Sequence, residues 1–330
     1  MRSMKTVREY ARGWLERKQP PLVRPSLTRA YRSHLGAILD LEIEVDGRVA
    51  VVGDLEVGGL APRHIEACRH AMLEGGGRSV KTVKNILAGT FRAMLRDARL
   101  IDEILERDPF EALKGSWPRE RKAPPDPFTA EERNLILDHI KRRHPQHFPL
   151  FLFLFETGMR PSEVAALRWG DVDLRAGHVT ISKGRTRGGF EAAPKTAASF
   201  RSCLLSPVVR EVLREMNPLH ATEDLHVFLG VEGNPVNMAK ISERVLPRVL
   251  RALEIRPRKL YSTRHTFISL ALTGGANPKG LAEYCGTSLA MIQANYGRFL
   301  GSQEGILNAM QEAAAPSIPS TATSSVASAR

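Results

Sequence analysis

Apolar residues recur every three or four positions along most of the chain, and the places where that rhythm lapses divide it. Over 6–18, Val7, Tyr10, Ala11, Trp14 and Leu15 fall on one face of a helix. A second helix is expected after Ser26, with Leu27, Tyr31, Leu35, Ile38 and Leu39 on its apolar side. A third begins near Pro62, because proline is favoured in a first helical turn. The clearest run is 79–100, where Val80, Val83, Leu87, Phe91, Met94, Leu95 and Ala98 keep helical spacing. Asp46-Gly47 marks a turn between two short strands, 41–45 and 49–52. Residues 1–115 therefore read as a helical domain.

The rhythm stops at 115–127, GSWPRERKAPPDP, which carries four prolines and a basic cluster with Arg121 and Lys122. We read 116–127 as a linker. Thr129 and Glu132 then form the signature of a capping box, in which each side chain satisfies an amide at the start of a helix. That helix should run to about Arg142, followed by a buried one over 148–156 and another opening at Pro161. The period then changes. HVTIS (178–182) and RSCLL (201–205) read as strands on either side of a Gly- and Lys-bearing loop, and 226–229 as a further short strand. From Met238 the pattern is helical again to about Glu312, and 313–330 has the low complexity of a disordered tail. The fold class expected is mainly α with a small β-sheet (α+β), in two domains, 1–115 and 128–312.

Composition narrows the field. Hydrophobic residues make up 42% of 330, which is that of a globular protein, and the most apolar run, 150–155, is far too short to cross a bilayer. The N-terminus lacks the apolar core of a secretory signal. Three widely spaced cysteines, Cys68, Cys203 and Cys285, with no CxxC pair, argue against a disulfide framework or a zinc site and fit a cytoplasmic setting. A formal charge of +12 favours polyanionic partners, since each neutralised phosphate releases counterions.

Four segments carry candidate chemistry. Arg160 stands between Gly158 and Pro161, at a rigid helix entry where phosphate is favoured. Lys195 lies in the loop between the two strands. Tyr261-Ser262-Thr263-Arg264-His265-Thr266 opens a helix, and Asn295-Tyr296-Gly297-Arg298 closes the helical region. Two guanidiniums can bind the non-bridging oxygens of a phosphodiester and stabilise the added charge of a pentacoordinate transition state without a metal. A tyrosine with a pKa near 10 is ionised only about once in a thousand at neutral pH, so positioning and a base must supply the rest.

The ordered set resembles the tyrosine recombinases, the phage integrase family. TGMRPSEVAALRWGDVD looks like the first arginine box, PKTAASFRSCLLSP the lysine hairpin, and YSTRHTFISLALTGGANPKGLAEYCGTSLAMIQANYGR the second arginine box through to the nucleophile. The resemblance spans roughly 128–300, and the N-terminal helices look like the family's core-binding domain. It implies a site-specific recombinase in which Arg160 and Arg264 hold the phosphate and Tyr296 attacks it. A 3′-phosphotyrosine forms and a 5′-hydroxyl leaves, protonated by Lys195 as general acid. No metal, cofactor or ATP is implied, because the covalent link conserves the bond energy. The implied partner is double-stranded DNA with an inverted-repeat core site. Two domains would clamp it, with monomers free in solution, a homotetramer in the synapse, accessory DNA-bending factors and no membrane. Lys183, Arg185 and Arg187 in the hairpin loop, with Arg121 and Lys122 in the linker, would contact DNA. A helix after Tyr296, over 302–313, would pack on a neighbouring subunit. No separate arm-binding domain is read ahead of Thr6; either there is none or an upstream start lies outside this sequence.

Two positions depart from the family pattern. Tyr261, three residues before Arg264, stands where histidine or lysine is usual. Thr287, nine residues before Tyr296, stands where histidine or tryptophan is usual. Tyrosine is a poor base at neutral pH, and threonine lacks an imidazole's proton chemistry. Both are carried as supporting site residues. Plainer readings stand beside the functional ones. Arg160 can pair with Glu163 at a helix start, Lys195 can be solvated, and Tyr284, the rival to Tyr296, lies on an apolar helix and reads as core. His265, next to Arg264, reads as packing, pointing away from Tyr261, or alternatively as part of the site. The other functions that this constellation allows are an inactive DNA-binding relative with a structural or regulatory role, and a type IB topoisomerase.

Overall fold

The computed structural model describes residues 5–75, 77–111, 117–118, 123–185, 189, 191–192, 200–219, 221–230 and 232–300. Two compact units divide the chain, Met1–Ala123 and Pro124–Arg330.

The first unit is helical. α1 (Val7–Arg17) opens with a reciprocal cap between Thr6 and Glu9, and α2 (Pro25–Leu39) opens on its own proline. β1 (Glu42–Val45) and β2 (Arg48–Val51) form an antiparallel hairpin over Asp46-Gly47, both at positive φ, as a tight two-residue turn requires. α3 (Pro62–His70) follows, and the run expected over 79–100 is α4 (Val80–Lys84) and α5 (Arg92–Leu100), joined by a wider π-type segment, Asn85–Phe91. Trp14, Leu35, Ile65, Met72, Leu87, Phe91 and Met94 fill the core. Asp97, buried beside this core, is paired rather than stranded. It accepts from Trp14 Nε1 at 2.8 Å and from Lys18 Nζ at 2.8 Å.

The second unit is built around α7 (Phe148–Thr157), whose sequence FPLFLFLFET is apolar on every side. Such a helix has no face fit for water and goes to the centre. α6 (Ala130–Arg143), capped reciprocally by Thr129 and Glu132, packs on it. α8 (Pro161–Val164) is a single turn leading into a small sheet. β3 (Val172–Asp173), β4 (His178–Ile181) and β7 (Arg201–Leu204) run antiparallel in the order β3-β4-β7, with Val179 opposite Cys203. β5 (Gly184–Arg185) and β6 (Glu191–Ala192) form a separate two-stranded ribbon between β4 and β7. The expected strand at 226–229 is instead a loop held by two isolated bridges, Arg168 to His226 and Leu229 to Pro235. α9 (Pro207–Met216) packs on α7, α11 (Leu246–Ala252) packs on α6, and α10 (Met238–Lys240) leads into α11 through a π-type segment, Ile241–Val245. α12 (Ser262–Thr273), α13 (Pro278–Cys285) and α14 (Leu289–Tyr296) share a further core of Ile268, Leu272, Leu281, Cys285 and Ile292. The architecture is mainly helical with small antiparallel sheets. Among the described residues no helix is long and apolar enough to cross a membrane. The helix expected over 302–313 and the tail at 313–330 lie outside the described residues.

Candidate active site

The site grows from the end of α7. Gly158 follows the helix at φ +58°, and a Cβ there would lie 2.3 Å from the Phe267 ring, so glycine alone fits this left-handed turn. The turn sets Arg160 in extended backbone just before Pro161. Glu163 closes it. Its Oε2 accepts the Arg160 backbone N–H at 2.9 Å, and its Oε1 accepts from Arg160 Nη1 at 2.7 Å. The pairing of Arg160 with Glu163 is therefore real, and it does not hold Arg160 away from the other site residues.

Arg264, in the first turn of α12, is 2% exposed. A guanidinium stays charged when buried and must find acceptors. Nη1 donates to Gly158 O at 2.8 Å and Nη2 to Cys285 O at 2.7 Å. Arg160 Nη2 donates to the next carbonyl, Gly286 O, at 2.6 Å. Two arginines 104 positions apart in sequence thus grip consecutive carbonyls of one turn, the turn that links α13 to α14. Each guanidinium has five N–H donors, so these contacts leave others for an anion.

That turn launches α14, capped by Ser288, and α14 ends on Tyr296, which is 5% exposed. The Tyr296 hydroxyl lies 2.6 Å from His265 Nδ1. Burial pushes the Tyr296 phenol well above its ordinary value; Arg264 works against the rise, and Tyr261 and Cys285 add to it. The phenol is neutral at physiological pH. Tyr261 caps α12 and is 40% exposed, with its ring edge-on to His265 at 5.1 Å between centroids. Thr287 is half-buried beside Gly286, and its N–H donates to Ala282 O at 2.9 Å. Tyr284 stacks on Phe267 and donates to Leu204 O, as a packing residue does.

Arg160, Arg264, Tyr296 and the Thr287 turn are therefore brought together, with Tyr261 at the edge. Lys183 sits 3.9 Å from Asp171, and Arg185 donates to Glu191 at 3.2 Å. Glu191 also takes Arg168 and His226. A cavity of about 700 Å³ opens beside Tyr261, rimmed by Ser162, Arg185, Asn237, Ser242 and Lys259. Lys195, Arg187, Arg121 and Lys122 lie outside the described residues.

Arg201 escaped the sequence reading, and His265 was read first as packing, with the site as the alternative. His265 was expected to point away from Tyr261, yet the two are four apart across the first turn of α12, a spacing that puts side chains on one face. Arg201, read only as the start of a strand, reaches Glu163 Oε2 at 2.8 Å and Tyr284 O at 2.8 Å with a side chain 6% exposed. An arginine two positions from the buried Cys203, and so on the same face of the strand, was the available signal.

Fold and site join two arginines on one turn to a buried tyrosine at the end of the helix that the turn launches. The phage integrase family model matches residues 127–298, more than half of the chain, and the chain belongs to that family. Prophage integrase IntR of Escherichia coli (strain K12) is 30% identical over 248 residues, covering 68% of this chain. The match spans 59% of the length of IntR. Tyrosine recombinase XerA of Pyrococcus furiosus is 25% identical over 244 residues, 71% of this chain and 76% of XerA. Among solved structures, the Tn1549 transposon integrase in complex with a circular intermediate DNA superposes with a TM-score of 0.71 at 19% identity, covering 94% of this chain and all of that one. A lambda integrase dimer bound to a COC′ core site gives 0.66 at 15%, covering 90% and 79%.

Proposed function

We propose that this protein is a tyrosine-type site-specific recombinase that cuts and rejoins double-stranded DNA at an inverted-repeat core site. The observation that carries the reading is the double grip of Arg160 and Arg264 on the Cys285–Gly286 turn, from which α14 delivers Tyr296. A phosphodiester brought against these two fixed guanidiniums would meet donors already in place, and the groups need little reorganisation when charge builds on phosphorus. In this reading Tyr296 attacks, a 3′-phosphotyrosine forms, and Lys195 protonates the departing 5′ oxygen. Lys183, Arg185, Arg187, Arg121 and Lys122 hold the DNA backbone, and Tyr261 and Thr287 line the phosphate site. Two protomers occupy a core site and four form the synapse. Cutting needs no ATP.

A nicked suicide substrate tests this, since loss of the short 5′ fragment traps the intermediate. Wild type should give a covalent protein–DNA adduct, and Tyr296→Phe should bind DNA equally and give none. Tyr261 and Thr287, in place of the usual imidazoles, favour a second reading, a DNA-binding relative that no longer cuts. That reading predicts binding without adduct in wild type. Relaxation of supercoiled plasmid at no particular site would favour a topoisomerase instead.

A further inference from the structure

The chain lacks an imidazole at both positions where its family usually carries one, yet an imidazole touches its nucleophile. His265 Nδ1 lies 2.6 Å from the Tyr296 hydroxyl. We propose that His265 is the catalytic base of this protein, accepting the Tyr296 proton as the tyrosine attacks phosphorus. The proposal rests on the recombinase reading and names the group that reading leaves open.

Three observations converge on it. The first is distance: 2.6 Å is a direct hydrogen bond, with no room for a bridging water. The second is need. Tyr296 is buried, and burial holds its phenol neutral far above physiological pH, so attack requires that the proton be removed as the bond to phosphorus forms. The third is support. Tyr261 lays its ring edge-on against His265, and the His265 and Tyr296 rings sit 5.8 Å apart, so the imidazole is held between the two tyrosines. Position 261 itself carries a phenol. One helical turn along α12, on the same face, the imidazole is supplied from 265.

The step balances. With its ring proton on Nε2, His265 offers the Nδ1 lone pair to the phenol O–H. The Tyr296 Oη–P bond forms, the proton passes to Nδ1, the P–O5′ bond breaks, and the leaving oxygen takes a proton from the general acid. Religation runs the same transfers backwards: the imidazolium returns its proton to the departing tyrosine oxygen. Arg264, next in sequence, contributes charge to the same reaction and no proton.

Single-turnover adduct formation on the suicide substrate tests this with His265→Asn and His265→Ala. Asparagine can keep a hydrogen bond to Tyr296 from near the Nδ1 position but cannot accept its proton. Both variants should bind DNA with wild-type affinity and form adduct about 100-fold or more slowly, the scale of a lost general base. Free imidazole should restore part of the rate to His265→Ala. A substrate with sulfur at the bridging 5′ position, whose leaving group needs no proton, should leave both variants slow, because the missing function is on the attacking side. Wild-type rates in His265→Asn, recovery of either variant on the sulfur substrate, or a rate loss that merely follows lost DNA binding would overturn the proposal. Absence of adduct from wild type overturns the recombinase reading beneath it, a result distinct from an active wild type with equally active variants.

Discussion

Arg201 and Glu163 form an ion pair at 2.8 Å, with side chains only 6% and 7% exposed, and the same carboxylate holds Arg160. The strand β7 thereby sets the orientation of the site arginine that precedes α8. Removing one partner of a buried pair and leaving the other charged without compensation costs about 3–5 kcal/mol. Glu163 keeps Arg160 when Arg201 is lost, so Arg201→Met should destabilise the second unit in urea unfolding by less than that, about 1–3 kcal/mol. Where the variant remains folded, it should also slow adduct formation on the suicide substrate. Unchanged stability would mean that water reaches the pair.

The same pair makes acid stability depend on Glu163. Burial alone would raise its carboxyl, but Arg201 and then Arg160 overcome that and hold it below its ordinary value of 4.5. A carboxylate depressed in the folded state contributes stability that is present above its unfolded value and is lost as pH falls through the folded one. Unfolding free energy of the wild type should thus decline below about pH 4.5, with Glu163 binding its proton more readily in the unfolded chain. Glu163→Gln should be less stable at neutral pH and decline less steeply over that acid range. A parallel decline in both proteins would remove Glu163 from the account.

Gly158 links α7 to both arginines, since its carbonyl takes Arg264 and its turn aims Arg160. Alanine there would adopt φ +58° against preference and push a methyl into the Phe267 ring. Left-handed strain costs about 1–2 kcal/mol and overpacking about 1–3 kcal/mol. Gly158→Ala should lower stability by at least about 2 kcal/mol and depress DNA cutting further than that loss explains. Gly275, also at positive φ (+85°) but with open space around it, is the control: alanine there should meet only the backbone term.

How much of this was legible follows from which interactions are local. Helical spacing located α1, α2 and the 80–100 run, Pro62 located α3, and Asp46-Gly47 located the first hairpin, because each is decided within a few residues. The capping box at Thr129 was legible for the same reason. The strand expected at 226–229 was not a strand, because Val227 and Phe228 enter the core from a loop bridged only at single residues, His226 to Arg168 and Leu229 to Pro235. Arg160, Arg264 and Tyr296 were legible as an ordered set of residue types. Their mutual arrangement was not, since it depends on two carbonyls, Cys285 O and Gly286 O, that carry no side-chain signature. His265 was misplaced by comparing it with its neighbour Arg264 instead of with Tyr261, four residues back. Arg201 became visible only once β4 and β7 were paired.

Alkaline titration gives a direct readout of the nucleophile's surroundings. The chain has five tyrosines, and three of them, Tyr10, Tyr284 and Tyr296, are pushed above the ordinary phenol value of 10, each chiefly by burial. Asp102 adds to the rise at Tyr10, and Cys203 and Cys285 add to it at Tyr284. A group whose value is raised on folding contributes stability that is complete below its unfolded value and is lost as pH climbs toward the folded one. Stability should therefore fall above about pH 10, with each buried tyrosine contributing a slope of about 1.4 kcal/mol per pH unit. Tyr296→Phe should make that slope shallower by one such increment, and it should remove one phenolate from the late phase of an ultraviolet titration, the phase that accompanies unfolding. If the lost phenolate instead belongs to the early phase, with the protein still folded, Tyr296 is exposed in solution. Its hydroxyl would then not be held at His265, and the geometry from which the attack was argued would have to be abandoned.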